Sequence, residues 1–591
     1  MATSLCRPTV RPETRDFRLF LLLPGSWQSP IRCELSAASL RDQPVYEAIS
    51  YTWGHPDDTK NIYVNDSIMR VPSNLEEALQ HLRKTDESLI LWADKICINQ
   101  DDATEKRHQV AMMGEIFRSC SCTYFWLGMP SEETMAADVS PFFFFLHYSN
   151  NRHIADLPCF EQSPLTGEWS FVKNDLFDSI WLAFRDLCSK PWWSRLWVVQ
   201  EVLLPPKGIV VFGKWRAPWE PVRQSIKKYS EHLSGCCSSC YQLFPDEYIV
   251  DFDTNATHHL HHSVADVDKM LRMFRHKLCR DPRDMIYGLL GLIGSSGLFS
   301  IKPDYTLGVD ETFFQVMEIL NRHSKRDLRY FTGLGFNSQR HGLPSWVRDF
   351  ATPSDAGTTS QEILRYEAYS LYDAAASTKS NLKWSNRFNL SITGVFVDRI
   401  QYVGLPVQNR NTKHIGEVLL SWHKYMKSEC TRKLDSPSLS QEQVFWRIVM
   451  ADVFSIGEGK WRRILSDVIP AKITSGDTKD LATWISNIRK TFVRAGEPPF
   501  IWKSLVAATC GRSFCRTEND NIGLCFPTSI PGDEIWVLHG GRVPFILRPC
   551  PDNNTVGDAS HYNLIGEAFL YGFMDGEALQ GECPVKEVVL K

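Results

Sequence analysis

Carboxylate, amide, guanidinium and indole groups gather at three places in this chain, at spacings that could do chemistry. Tyr51, Thr52, Trp53 and Gly54 end an apolar segment, Tyr46-Glu47-Ala48-Ile49-Ser50. Asp94 and Asn99 follow a second one, Ser88-Leu89-Ile90-Leu91-Trp92. Arg195 and Glu201 open and close Arg195-Leu196-Trp197-Val198-Val199-Gln200-Glu201. In a parallel sheet the carboxyl ends of strands converge on one rim, and ligands bind there. If a helix starting near Trp193 closes over that rim, Glu201 joins Asp94. Two carboxylates, an amide and indole faces in one cleft suit a nucleotide or a sugar. The same residue types also fit structural roles: Trp53 and Trp92 as core anchors, Asp94 as a loop cap, Asn99 as a turn former, Arg195 with Glu201 as a solvated pair.

The elements that must position these groups alternate strand and helix through the first third of the chain, the pattern of a mostly parallel sheet with flanking helices. Residues 17–23 and 31–35 read as a lead-in pair of strands, and residues 46–52 as a short buried strand stopped by Gly54-His55-Pro56-Asp57-Asp58. Ser73-Asn74-Leu75-Glu76 has the form of a capping box, opening a helix with Leu75, Ala78, Leu79 and Leu82 on one face. Residues 102–105 open a second helix, in which Val110, Met113 and Phe117 repeat at helical spacing. Residues 123–127 return to strand. Residues 175–189 and 193–204 read as helices broken apart by Lys190-Pro191.

This gives a lead-in over 1–45, an α/β domain over 46–204, a mainly helical region over 205–375, and a β-rich region over 376–591 with a helical insert at about 416–496. In the last region, residues 535–539 and 542–547 around Gly540-Gly541 predict a hairpin with a two-residue turn. Pro544 would suit only an edge strand there.

The chain has 591 residues, 43% hydrophobic and 23% charged, a globular composition with room for several domains. A net charge of −4 argues against nucleic acid as partner, since residues 214–228 are only sparsely basic. Seventeen cysteines, an odd number spread thinly, argue against a disulfide framework. No apolar stretch approaches the roughly 18 residues that span a bilayer. The apolar run at residues 19–23 sits behind six charged residues, unlike a signal peptide. These features predict a cytoplasmic protein.

In order, residues 46–54, residues 92–100 with Glu105, Arg107, Gln109 and Met113, Trp126-Leu127-Gly128, and residues 195–201 resemble the heterokaryon-incompatibility (HET) domain of filamentous fungi. Residues 281–292, 343–349, 532–548, 566–567 and 572–577 resemble segments that often accompany it. The resemblance implies non-self recognition and programmed cell death, with a protein partner from an incompatible allele or locus and possible self-association in a non-enzymatic scaffold. More distantly, residues 46–51 and the Trp197 to Glu201 spacing resemble the Toll/interleukin-receptor (TIR) domain, an α/β fold. In enzymatic members of that family the corresponding glutamate cleaves nicotinamide from NAD, which implies Glu201 as catalytic carboxylate and NAD as substrate. Val198 departs from that family, which usually has cysteine there.

Cys237 and Cys240 have zinc-ligand spacing, and His258, His259, His261 and His262 follow, packed more closely than finger spacing requires. A surface loop is the competing reading. There is no phosphate-binding Gly-rich loop, no Gly-x-Ser-x-Gly elbow and no repeat period.

Overall fold

The computed structural model describes residues 7–11, 14–135, 139–140, 153–157, 159–234, 267–293, 301–324, 327–333, 342–352, 354, 356–385, 388–408, 412–430, 441–457, 460–464, 500–550, 561–581 and 583–591. Cys237, Cys240, the histidines of residues 258–262, and residues 431–440, 458–459 and 465–496 of the expected helical insert lie outside the described residues. Two compact units emerge, Met1–Val267 with Lys277–Leu307, and Asp268–His276 with Gly308–Lys591.

The first unit is built on a nine-stranded sheet. Its strands come from β1 (Asp16–Leu22), β2 (Arg32–Ser39), β3 (Glu47–Ser50), β4 (Thr59–Val64), β5 (Ser67–Pro72), β6 (Leu89–Trp92) and β7 (Cys122–Gly128), then, after a separate hairpin of β8 (Phe160–Gln162) and β9 (Trp169–Phe171), from β10 (Gly208–Phe212) and β11 (Trp215–Pro218). The order across the sheet is β11-β10-β7-β3-β6-β1-β2-β4-β5. Only β10, β7, β3 and β6 form a continuous parallel block. The antiparallel pairings β6–β1, β1–β2, β4–β5 and β10–β11 make the sheet mixed rather than mostly parallel. β3 sits at the centre of the block, which explains why Ala48, Ile49 and Ser50 are all buried, as expected for a strand covered on both faces.

The lead-in strands are members of this sheet, with β1 between β6 and β2, and β10 carries it past Pro205-Pro206. The hairpin β4–β5 was not anticipated. Its turn is Asn65-Asp66, both at positive φ (47° and 61°), the residue types that tolerate the left-handed conformation of a tight hairpin turn.

Local signals hold where partners are local. Helix Ala103–Ser119 is capped by Asp102, whose Oδ1 accepts from the amides of Thr104 (2.9 Å) and Glu105 (3.1 Å), and Val110, Met113 and Phe117 are buried. Helix Ser73–Leu82 buries Leu75, Ala78, Leu79 and Leu82, but no capping box forms. Ser73 lies inside the helix, and its hydroxyl donates to Asp58 Oδ1 at 2.5 Å, a charged acceptor that outcompetes a backbone partner.

The expected helix over 193–204 is divided. Pro191–Ser194 is a 3₁₀ turn, Arg195 is extended (φ −72°, ψ 136°), and the α-helix is only Val198–Leu203. The cause is distant in sequence: Arg195 and Leu278 form a parallel β-bridge, with Leu196 N–H donating to Leu278 C=O at 2.9 Å and Leu278 N–H to Ser194 C=O at 2.7 Å.

The second unit has helices Val267–Met273, Val309–His323 and Ala356–Ala368, then mostly strands. Strand Leu390–Pro406 pairs with both Val585–Leu590 and Glu534–Leu538. Those two are linked through Phe545–Pro549 and His561–Glu567, so five strands close a ring that leaves none of them with two free edges. The predicted hairpin is present, but its last pair is Trp536 with Phe545, so the connection is longer than two residues. Pro544 falls in that connection, and the following strand is paired on both sides, not at an edge. Helices Thr412–Glu429 and Gln441–Val449 and the hairpin Val453–Gly457 with Lys460–Arg463 occupy the described part of the insert.

Helix Ala103–Ser119 meets the short helix Leu290–Ile293 at two glycines. A Cβ on Gly114 would stand 2.6 Å from the Gly291 Cα, a backbone atom that cannot rotate away. Gly114→Ala should therefore cost about 1–3 kcal/mol through overpacking, read as a lower denaturant midpoint with unchanged slope.

Candidate functional site

Ser50 is the last residue of β3, and its hydroxyl donates to Glu201 Oε2. The indole N–H of Trp192, from the 3₁₀ turn, donates to the same Ser50 oxygen at 2.8 Å. Arg195 follows that turn. Its guanidinium donates to the carbonyl of Tyr51 and stands 3.7 Å from Glu201 Oε2. Glu201 is 5% exposed. Burial pushes its carboxyl above the ordinary range, opposed by the Arg195 charge and the Ser50 hydrogen bond and reinforced slightly by Asp94.

Asp94, one residue beyond the short extension that follows β6, ties the loop after β3 to the neighbouring strand. Its Oδ1 accepts from Tyr51 Oη (2.8 Å) and from the Lys95 amide (2.8 Å), and its Oδ2 accepts from the Trp53 indole N–H (2.9 Å). Burial and the adjacent carboxylate push the Tyr51 phenol well above its ordinary value. The Lys95 ammonium lies over the Trp53 ring at 5.5 Å. Asn74 holds the same loop from the other side, donating to the Thr52 carbonyl (2.7 Å) while accepting from the Trp126 indole (2.7 Å).

Tyr51, Trp53, Asp94, Arg195 and Glu201 are thus brought together at the carboxyl ends of β3 and β6. Two of the expected residues are not part of this contact. Asn99 uses its amide N–H on Glu105 Oε1 (2.6 Å) and its side-chain oxygen on the Asp101 amide (3.4 Å), forming a turn. Glu105 in turn grips the buried Arg18 through both oxygens (2.6 and 2.9 Å). Gly54 is exposed at φ +73° with open space around it, so its requirement is conformational. Ser50 and Trp192 were missed by sequence reasoning; the serine at a strand's end, one residue before Tyr51, was the available signal.

The pair of carboxylates offers hydrogen-bond acceptors and negative charge, with Trp53 and Lys95 at the rim. The Ser50 and Arg195 contacts both fall on Glu201 Oε2, so they engage one oxygen of its carboxylate. Among the described residues no group of three His, Cys, Asp or Glu side chains is placed to hold a metal, no helix is long and apolar enough to cross a membrane, and thirteen cysteines are free thiols.

Residues 46–201 match the family described as "Heterokaryon incompatibility protein (HET)". These residues, all in the first unit, are similar to that family. The match begins at Tyr46 and ends at Glu201 itself, so it encloses every residue of the site. Residues 500–583 match a second family, the "Het-6 beta-barrel domain", which covers three of the five strands of the closed ring. A curated relative, "Heterokaryon incompatibility protein 6, OR allele" of Neurospora crassa, is 24% identical over 681 aligned residues, spanning 96% of this chain and 94% of the relative. No solved structure matches the chain.

Behind this site, Trp197 donates its indole N–H to Asp284 Oδ2 (3.2 Å), and Tyr305 Oη donates to Asp284 Oδ1 (2.7 Å). Burial pushes the Asp284 carboxyl up to about 6 from 3.8; the two hydrogen bonds and Lys106 oppose the rise, and Asp281 adds to it. The folded state then holds a proton that the unfolded chain has already released. Its contribution to stability is complete below about pH 4 and is lost as pH rises to about 6. Asp284→Asn should flatten that window, removing a change on the order of 2–3 kcal/mol in unfolding free energy, as read by urea titrations at pH 4 to 7.

Proposed function

We propose that this chain acts in fungal heterokaryon incompatibility, in non-self recognition and programmed cell death. The HET-domain unit is the effector of death and the remainder restrains or triggers it, answering a protein partner encoded by an incompatible allele or locus, in the cytoplasm. The observation that carries this is the HET match over residues 46–201, enclosing the buried Ser50–Glu201 hydrogen bond with Arg195 beside it. Similarity to the Neurospora crassa incompatibility protein along 96% of the chain supports the same role for the whole molecule.

A second reading is that the effector is an NAD glycohydrolase with Glu201 as the catalytic carboxylate. What favours it is a carboxylate beside a guanidinium at the carboxyl end of a parallel strand, four residues after Trp197. A carboxylate there can accept from ribose hydroxyls and stabilise the oxocarbenium-like charge that develops as the N-glycosidic bond breaks. A TIR-like origin of this spacing belongs to the same reading.

Expression in a fungal cell, with intracellular NAD and viability followed together, tests both. Wild-type expression together with an incompatible partner should kill, and on the enzymatic reading Glu201→Gln should abolish that death. NAD falling at least tenfold before death, and not in Glu201→Gln, is the enzymatic outcome; death with NAD unchanged assigns the effector to assembly with partners. Survival of cells expressing the wild type together with an incompatible partner would overturn the incompatibility reading.

A further inference from the structure

The helix that carries Glu201 cannot fix its own position. Val198–Leu203 has six residues and no side-chain cap, and so short a helix has little stability apart from its packing. The groups that hold it lie well beyond Glu201 in sequence. Lys277 Nζ donates to the Trp193 carbonyl (2.9 Å). The Leu278 backbone exchanges hydrogen bonds with Ser194 and Leu196 and so imposes the extended conformation of Arg195. Leu278 does this through its backbone alone, since its side chain is 59% exposed. Asp284 accepts from the Trp197 indole at the start of the helix. Gln200, next to Glu201, donates to the Gly288 carbonyl at 2.6 Å, and Gly291 packs against Gly114.

We propose that residues 277–291 are a positioning clamp for the Glu201 helix, and that the second unit regulates the site along the chain, through residues 268–276. The inference rests on the reading of the Glu201 region as the effector site. Residues 268–276 belong to the second unit and are locked there by ion pairs. Arg272 pairs with Asp268 (2.8 Å) and Glu362 (2.9 Å), Arg275 with Glu362 (3.1 Å), and Arg348 with Asp268 (2.7 Å), every side chain being 2% exposed or less. Such pairs hold a segment firmly because separating one partner strands a buried charge. One peptide bond, His276 to Lys277, then joins the locked segment to the clamp. Any event that shifts residues 268–276 acts directly on Lys277 and Leu278, and through them on Arg195. The regulator therefore needs no access to Glu201.

Amide hydrogen exchange on the full-length protein tests the clamp without requiring any killing activity. Asp284→Leu should speed exchange in residues 197–203 about tenfold while β3 and β6 keep their rates, and Asp284→Asn, which retains an acceptor for Trp197, should restore protection to within about threefold. In cells where the wild type kills, death should be lost with Asp284→Leu and return with Asp284→Asn. Thr332→Val removes the hydroxyl that accepts from Arg272 at 3.1 Å, a mild loosening of the anchor. It should speed exchange in residues 194–203 about threefold in the intact chain, and have no effect there once a Gly-Ser-Gly-Ser insertion separates His276 from Lys277. Unchanged exchange in Asp284→Leu overturns the clamp. A Thr332→Val effect that survives the insertion, or never reaches residues 194–203, overturns the route along the chain. A wild type that does not kill counts against the incompatibility reading alone, since the exchange outcomes stand without it.

Discussion

A carboxylate taken out of water must be answered by donors or by opposite charge, or the fold pays several kcal/mol for it. Glu201 imposes that requirement at the end of the central strand. Its answers come from two separate stretches of chain: the hydroxyl of Ser50 at the end of β3, and the guanidinium of Arg195 after the 3₁₀ turn. Trp192 then satisfies the Ser50 oxygen. Each of these groups constrains its own segment. Ser50 must end the strand at the rim, the turn must bring Trp192 over it, and Arg195 must be extended to reach both Glu201 and the Tyr51 carbonyl. Because the parallel block β10-β7-β3-β6 places β3 in the middle, the carboxylate is enclosed by structure on both sides.

A second carboxylate, Asp94, performs a different task with similar means. Three donors from Tyr51, Trp53 and Lys95 converge on it, which fastens the loop after β3 to the segment after β6. Consecutive residues Ser50 and Tyr51 therefore serve consecutive carboxylates, and Arg195 joins the two sets through the Tyr51 carbonyl. Asp94, used by three donors, is a structural fastener, whereas the buried Glu201 receives the Ser50 hydroxyl on one oxygen, with the Arg195 guanidinium 3.7 Å from it. The two acids that sequence reasoning placed in one cleft are neighbours with unequal roles.

Which features were legible follows from the range of the interactions that determine them. Helix Ala103–Ser119 was readable because its cap and its buried face are internal to it. Strands β3, β6 and β7 were readable because each is short, apolar and bounded by turn residues. The direction of the flanking strands was not, since the pairing of β1 with β6 and of β10 with β7 depends on partners many residues away. The hairpin turn at Asn65-Asp66 carried a local signal that went unread beside the stronger helix pattern after it. Residues 193–204 read as one helix after the break at Lys190-Pro191. The bridge to Leu278 breaks it, and no local pattern encodes that partner. The same contrast separates Asn99, whose turn-forming chemistry is local, from Ser50 and Trp192, which acquire a role only through the helix that carries Glu201.

The contacts of Glu201 differ in what holds them in place. Here Ser50 and Arg195 both engage Glu201 Oε2, so these two contacts set the position of that oxygen. Arg195 is the weaker of the two. It stands at 3.7 Å from the carboxylate, and its backbone conformation is borrowed from Leu278 rather than set by its own segment. The bridge to Leu278 is therefore the contact on which the position of Arg195 depends.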